Sequence, residues 1–192
     1  MKKDIVLAGV GGQGILSIAA IIGIAAVNSN LYLKQAEVHG MSQRGGDVQS
    51  NLRLSDKEIA SDLIPFGKAD IILSVEPMEA LRYLPMLAPD GWLITNTNPF
   101  NNIPDYPDMD KLLNKIKSLP YNVAINADQI AKDAGSVRTM NIVMLGAASP
   151  FLNIDYNILE NTIKDFFAKK GDKIIEMNLK ALKAGRDFVD NK

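Results

Sequence analysis

Cysteine is absent from the chain. That excludes a disulfide, thiolate ligation of an iron–sulfur cluster and a thiol nucleophile. Histidine occurs once, so a zinc site would lack ligands as well. Neither sign of charge is in excess: 21 Lys and Arg stand against 22 Asp and Glu, for a net charge of −1 and a pI near 5.8. No basic footprint for nucleic acid follows from that balance. A long hydrophobic run is missing too. The most apolar stretch, Ile15 to Val27, is too short to span a bilayer and is interrupted by Ser17 and Gly23, so no membrane role is expected. The start, Met1-Lys2-Lys3, faintly imitates a signal peptide, but Asp4 and the glycines that follow argue against one. The expected compartment is the cytoplasm.

What remains is the composition of a globular protein, 47% hydrophobic and 22% charged over 192 residues, long enough to bury a real core in one domain covering 1–192. Two glycine-bearing segments carry most of the chemical information. The first, Gly9-Val10-Gly11-Gly12-Gln13-Gly14, follows the apolar run Ile5–Ala8 and precedes Ile15 to Val27, so it sits where a strand turns into a helix. Gly9 is expected to permit the turn, Gly11 to let a ligand or another backbone approach, and Gly14 to let the helix pack on the strand. The helix N-terminus then offers N–H groups and partial positive charge to an anion or to a partner's acidic or carbonyl groups. The second segment is Glu37-Val38-His39-Gly40-Met41-Ser42-Gln43-Arg44-Gly45-Gly46.

Periodicity predicts an α/β fold: a three-layer, Rossmann-like and mostly parallel sheet, helices on both faces, and an antiparallel insertion near 47–64. Strands are expected at 4–8, 31–37, 47–54, 70–75, 92–95 and 122–125. Helices are expected at 13–28, 78–86, 109–118, 127–134, 139–148, 156–169 and 173–190. The first strand, helix and second strand read as a parallel pair with a right-handed crossover, which brings both glycine segments to the strands' C-terminal ends. Residues 47–54 alternate strictly, with Val48, Leu52 and Leu54 on one face and Gln49, Asn51 and Arg53 on the other. Residues 58–64 either return as a short strand or run irregularly to Pro65. The proline-rich 96–108 segment reads as a mobile surface arm. The first helix is apolar on most faces, as for one buried between a sheet and something else, a second chain included.

Several readings of the motifs stay open. A dinucleotide site would need an acidic residue about 20 residues beyond the turn, and Glu37 stands there, so an independent NAD- or flavin-binding oxidoreductase is one alternative. A Walker-type phosphate loop is excluded, because Ile15 and Leu16 occupy the lysine and hydroxyl positions. His39 is a weak catalytic candidate against a role in packing its own loop through Glu37 or a carbonyl. Arg44-Gly45-Gly46 can form an anion-binding concavity, or Arg44 can pair with Glu37. Glu79 and Arg82 read as a surface pair at i, i+3, with Glu76 the carboxylate of interest at a strand end. Met78, Met86, Met140 and Met144 read as packing residues.

Taken together, the two glycine segments and Arg53-Leu54-Ser55 resemble the gamma subunit or domain of the 2-oxoacid:ferredoxin oxidoreductases. Asp62-Leu63-Ile64-Pro65-Phe66-Gly67-Lys68-Ala69-Asp70 and Glu76-Pro77-Met78-Glu79-Ala80-Leu81-Arg82 extend the likeness, as do Asn141 and Asn178-Leu179-Lys180-Ala181. As a free-standing chain it is most similar to the beta subunits of the indolepyruvate ferredoxin oxidoreductases. The resemblance implies oxidative decarboxylation of a 2-oxoacid to an acyl-CoA. Thiamine diphosphate, magnesium and iron–sulfur clusters would be held by a large partner subunit, ferredoxin would be the electron acceptor of the complex, and this chain alone would bind no cofactor. Gly9, Gly11, Gly12, Gln13, Gly14, Glu37, His39, Gly40, Met41, Gln43, Arg44, Gly45 and Gly46 would then face the active site or coenzyme A. A purely structural assembly subunit is a further alternative, and a homodimer of the isolated chain stays open.

Overall fold

The structure, a computed structural model, describes residues 1–39, 45–101 and 103–192, with His39 described by its backbone alone. Strand β1 (Lys2–Val10) runs into the glycine turn and helix α1 (Ile15–Asn28), followed by β2 (Tyr32–His39) and β3 (Asp47–Ser55). Then come β4 (Ala69–Ser74), α2 (Pro77–Arg82), β5 (Leu87–Asn96), α3 (Met109–Lys117), β6 (Asn122–Ile125), α4 (Ala127–Asp133), α5 (Met140–Ala148), α6 (Tyr156–Phe167) and α7 (Asp172–Asp190).

The strands form one sheet in the order β2-β3-β1-β4-β5-β6. Strands β1, β4, β5 and β6 are mutually parallel, whereas β3 is antiparallel to both of its neighbours, β1 and β2. The expected side-by-side pairing of the first two parallel strands is therefore corrected: β3 lies between them. The alternation in 47–54 explains how it fits. Leu52 and Leu54 are buried beneath the α1 layer, and Asn51 and Arg53 turn to the opposite face, where Arg53 finds Asp4. No return strand forms over 58–64. That segment runs irregularly and is tied down by Arg53 Nη1, which donates to the carbonyls of Ser61 and Leu63, each at 3.0 Å.

Burial on both faces explains the continuous apolar runs in β1 and β4. Alternate residues serve separate cores: Ile5, Leu7, Ile71 and Leu73 pack with α1, α5 and α6, while Val6, Ile72 and Leu93 pack with Ala80 of α2 and with Leu112 and Ile116 of α3. Helices α5 and α7 cross at glycines. A Cβ on Gly146 would lie 2.1 Å from the Leu182 carbonyl oxygen, and one on Gly185 would lie 2.0 Å from that of Val143. Met144 and Met86 are buried, and Met78 and Met140 pack against the cores, as their reading as packing residues requires.

Candidate functional site

The C-terminal ends of β1, β4, β5 and β6 make one edge, and the glycine turn sits on it. Gly9 is not in the turn itself. It is the penultimate residue of β1, opposite Val48, and a Cβ there would lie 2.4 Å from Val75 Cγ2 and 2.8 Å from Ile15 Cδ1. Gly9 therefore does the close packing of helix on sheet that was expected of Gly14. Gly14 instead caps α1 with φ of 81°, a left-handed conformation that costs an L side chain strain. A Cβ on Gly14 would lie 2.6 Å from Asn141 Nδ2, and that amide donates to the Gly14 carbonyl at 3.2 Å. Asn141, at the start of α5, thus fixes the entry to α1.

Gln13 closes the turn on itself. Its N–H donates to the Val10 carbonyl (3.1 Å) and its Oε1 accepts the Val10 N–H (2.8 Å). Gly11 meets another backbone: its N–H donates to the Gly46 carbonyl at 2.8 Å, and the Gly45 N–H reaches the Gly11 carbonyl at 3.5 Å. The end of the second glycine segment is thereby stitched to the first, at the edge where β2 also ends. Gly12 lies exposed at φ of 101°. Among the described residues no side chain caps the first turn of α1, and no acidic residue stands in that turn, which leaves the positive end of the helix directed at this edge.

Gly40, Met41, Gln43 and Arg44 lie outside the described residues, as does the His39 side chain; the readings placed on them, the Arg44–Glu37 pair among them, lie there too. The Glu37 side chain, exposed near the end of β2, accepts a hydrogen bond from Gln35 Nε2. Asp47 begins β3 opposite Val10 and accepts from the Tyr83 hydroxyl at 3.2 Å. Burial first, and the Asp47 charge second, push the Tyr83 phenol up to about 12.

Next along the edge is Glu76, fully buried between β4 and α2. Its Oε2 accepts the Glu79 N–H at 2.9 Å, which caps α2, and its Oε1 accepts the Phe100 N–H at 3.3 Å and the Tyr106 hydroxyl. The segment read as a mobile arm is thus tied at Phe100 and Tyr106, and the tie lies in long-range contacts that a proline count does not register. Burial and the Glu76 carboxylate push the Tyr106 phenol well above its usual range. The Glu79–Arg82 pair exists, with Arg82 Nε 2.7 Å from Oε2, but the Glu79 side chain is only 2% exposed, which corrects its placement on the surface. Burial raises the Glu79 carboxyl pKa, and the Arg82 hydrogen bond opposes the shift.

Sequence reasoning did not single out Asn96, which joins several loops of this edge. Its Nδ2 donates to the Val75 carbonyl (3.3 Å) and to Asp128 (2.8 Å), and its Oδ1 accepts from Ala127 N–H (3.1 Å) at the start of α4. A polar residue closing a buried strand was the available signal. The motif Arg53-Leu54-Ser55 lies at the other end of the sheet. There the Arg53 fork holds wholly buried Asp4 at 2.8 and 3.1 Å, so that part of the pattern braces the fold away from the glycine edge. Among the described residues, no cluster of acidic and histidine side chains suited to a metal is present.

The sequence pattern of the pyruvate ferredoxin/flavodoxin oxidoreductase family matches residues 4–188. The chain belongs to that family. It is 37% identical over 196 aligned residues to the indolepyruvate oxidoreductase subunit IorB of Archaeoglobus fulgidus, an alignment covering 96% of this chain and 94% of that subunit. The fold matches the gamma subunit of the keto/oxoacid ferredoxin oxidoreductase of Geobacter sulfurreducens with a TM-score of 0.74 at 24% identity, over 99% of both chains. It also matches a 2-oxoglutarate:ferredoxin oxidoreductase of Magnetococcus marinus, solved with 2-oxoglutarate, coenzyme A and succinyl-CoA bound. That TM-score is 0.80 at 24% identity, over all of this chain but 31% of the other. Family membership accounts for the sequence resemblance and for the mixed sheet in this oxidoreductase chain.

Proposed function

We propose that this chain is the small subunit of a thiamine-dependent 2-oxoacid:ferredoxin oxidoreductase acting on an aryl pyruvate, indolepyruvate foremost, and that its glycine edge completes the active-site region of a cofactor-bearing partner. The observation that carries the reading is the backbone junction of Gly11 with Gly45 and Gly46. It sets the start of α1, which no described side chain caps, beside the end of the segment that carries His39 and Arg44. Such an edge suits two tasks: shaping the cavity above a neighbour's cofactor, or receiving the phosphates of coenzyme A on N–H donors. The sequence likeness to an indolepyruvate oxidoreductase subunit supports the substrate. The cysteine-free composition agrees with thiamine diphosphate, magnesium and iron–sulfur clusters residing on the other subunit.

The test is Arg44→Ala in the assembled complex. Turnover with indolepyruvate and coenzyme A falls at least tenfold while subunit stoichiometry holds. Wild-type turnover in an intact variant complex would leave the chain a structural subunit. Calorimetric titration with NAD and flavin nucleotides separates the independent-oxidoreductase reading, and no binding is expected.

A further inference from the structure

Helix α1 carries no charged residue, and one of its faces is uncovered. Leu16 is 51% exposed, Ile24 42% and Val27 59%. With Ala20 they follow the i, i+4, i+8, i+11 spacing of one helix face and extend about 17 Å at 1.5 Å per residue. Beside this ridge, between α1 and the outermost strand β2, runs an open groove of about 310 Å³ with Ala19, Ala20 and Gly23 among its small lining residues and Leu33 and Gln35 on the strand side. A helix that lay against water would carry charge on this face. A contiguous apolar ridge and groove mark a surface that another protein covers.

We infer that the Leu16–Val27 face of α1, with the groove beside β2, is the docking surface for the cofactor-bearing subunit, which seats an uncharged apolar element there. The inference rests on the function proposed above. Two observations favour this occupant over a second copy of the chain. First, the ridge is continuous with the proposed site: Leu16 lies in the first turn of α1, directly after the Gly14 cap. A partner seated over the glycine edge therefore reaches the ridge without a gap, and a second copy covering Leu16 would obstruct that partner. Second, the same fold forms 31% of the longer Magnetococcus marinus chain. A subunit of the length of IorB of Archaeoglobus fulgidus, 94% of which aligns with this chain, has no room for such a neighbour and must meet it in another polypeptide.

Ile24→Glu with Val27→Glu places two charges on the ridge without touching the core. The variant chain is expected to keep its circular dichroism spectrum and to lose at least tenfold in affinity for the co-expressed large subunit, whereas Ile24→Leu binds as wild type. Because the chain has no cysteine, Val27→Cys supplies an independent reading: maleimide labelling slows at least tenfold when the large subunit is present. Normal assembly of the double variant, or labelling at an unchanged rate in the complex, overturns the inference. So does a wild-type chain that self-associates through this ridge while the monomeric double variant still assembles. If the wild-type complex assembles but reduces no ferredoxin from any 2-oxoacid, the proposed function fails, and the docking measurements still read out the surface.

Discussion

Asp4 has no exposure to solvent, and the Arg53 fork on its two oxygens is what makes that burial tolerable. Lys2 adds a second cation 2.7 Å away, and the Asp4 N–H donates to Asp70 at 2.7 Å. Arg53 also binds two carbonyls of the 56–64 stretch, so one side chain joins β3, β1 and an irregular segment. Removing Asp4 strands the guanidinium between carbonyls without its counter-charge. Asp4→Ala should therefore lose about 3 kcal/mol of stability, read as a lower urea midpoint with an unchanged slope. A loss below about 1 kcal/mol would make the pair no stronger than a surface one. Residue identity also separates the glycines that the motif presents as equivalents. Contacts with Val75 and Ile15 require Gly9, whereas a positive φ and Asn141 require Gly14. The motif spelled out neither assignment, because each depends on atoms far away in sequence.

Element boundaries were largely legible. The segments read as 47–54, 109–118 and 122–125 occur as Asp47–Ser55, Met109–Lys117 and Asn122–Ile125, since each carries its period and its end signals locally. Asp108, Asn126 and Asp155 cap α3, α4 and α6 through side-chain oxygens, which is a local rule visible in the letters. The segment after β5 is irregular and largely exposed, as its proline and asparagine content predicts, but that content reports a lack of regular structure and says nothing of anchoring. Its anchor is Glu76, and Tyr106 is one of three donors to that carboxylate among the described residues. Tyr106→Phe removes a hydrogen bond to a charged group, worth about 1.5 kcal/mol, and so about tenfold in the local opening equilibrium. Amide hydrogen exchange in peptides covering Phe100 and Tyr106 should quicken by that factor, with the β4 and β5 peptides unchanged. Unaltered exchange would show that Phe100 and the apolar contacts of Tyr106 hold the segment without the hydroxyl.

At the scale of the molecule, the chain is a sheet between two cores, with the two glycine segments joined at one edge and an exposed apolar face on α1. The function proposed above puts the redox cofactors on the partner subunit. The purified chain alone should therefore oxidise no 2-oxoacid, assayed as ferredoxin reduction with indolepyruvate and coenzyme A. Turnover should appear only on addition of the large subunit. Measurable reduction by the chain alone would place the chemistry here and undo the division of labour.

The sequence by itself determined the elements, the family and the meeting of the two glycine segments at one edge. Those follow from local periodicity, from turn chemistry and from a motif specific enough to carry a resemblance. Only the tertiary structure decided that β3 intervenes between β1 and β2, that Gly9 packs while Gly14 caps, and that Asn96, Asn141 and Tyr106 hold the edge together. Strand order and such bridges are set by pairings between residues remote along the chain, including the 127 positions that separate Asn141 from Gly14. The period of a segment records which face is apolar; which neighbour that face meets is settled only when all the apolar faces are buried at once.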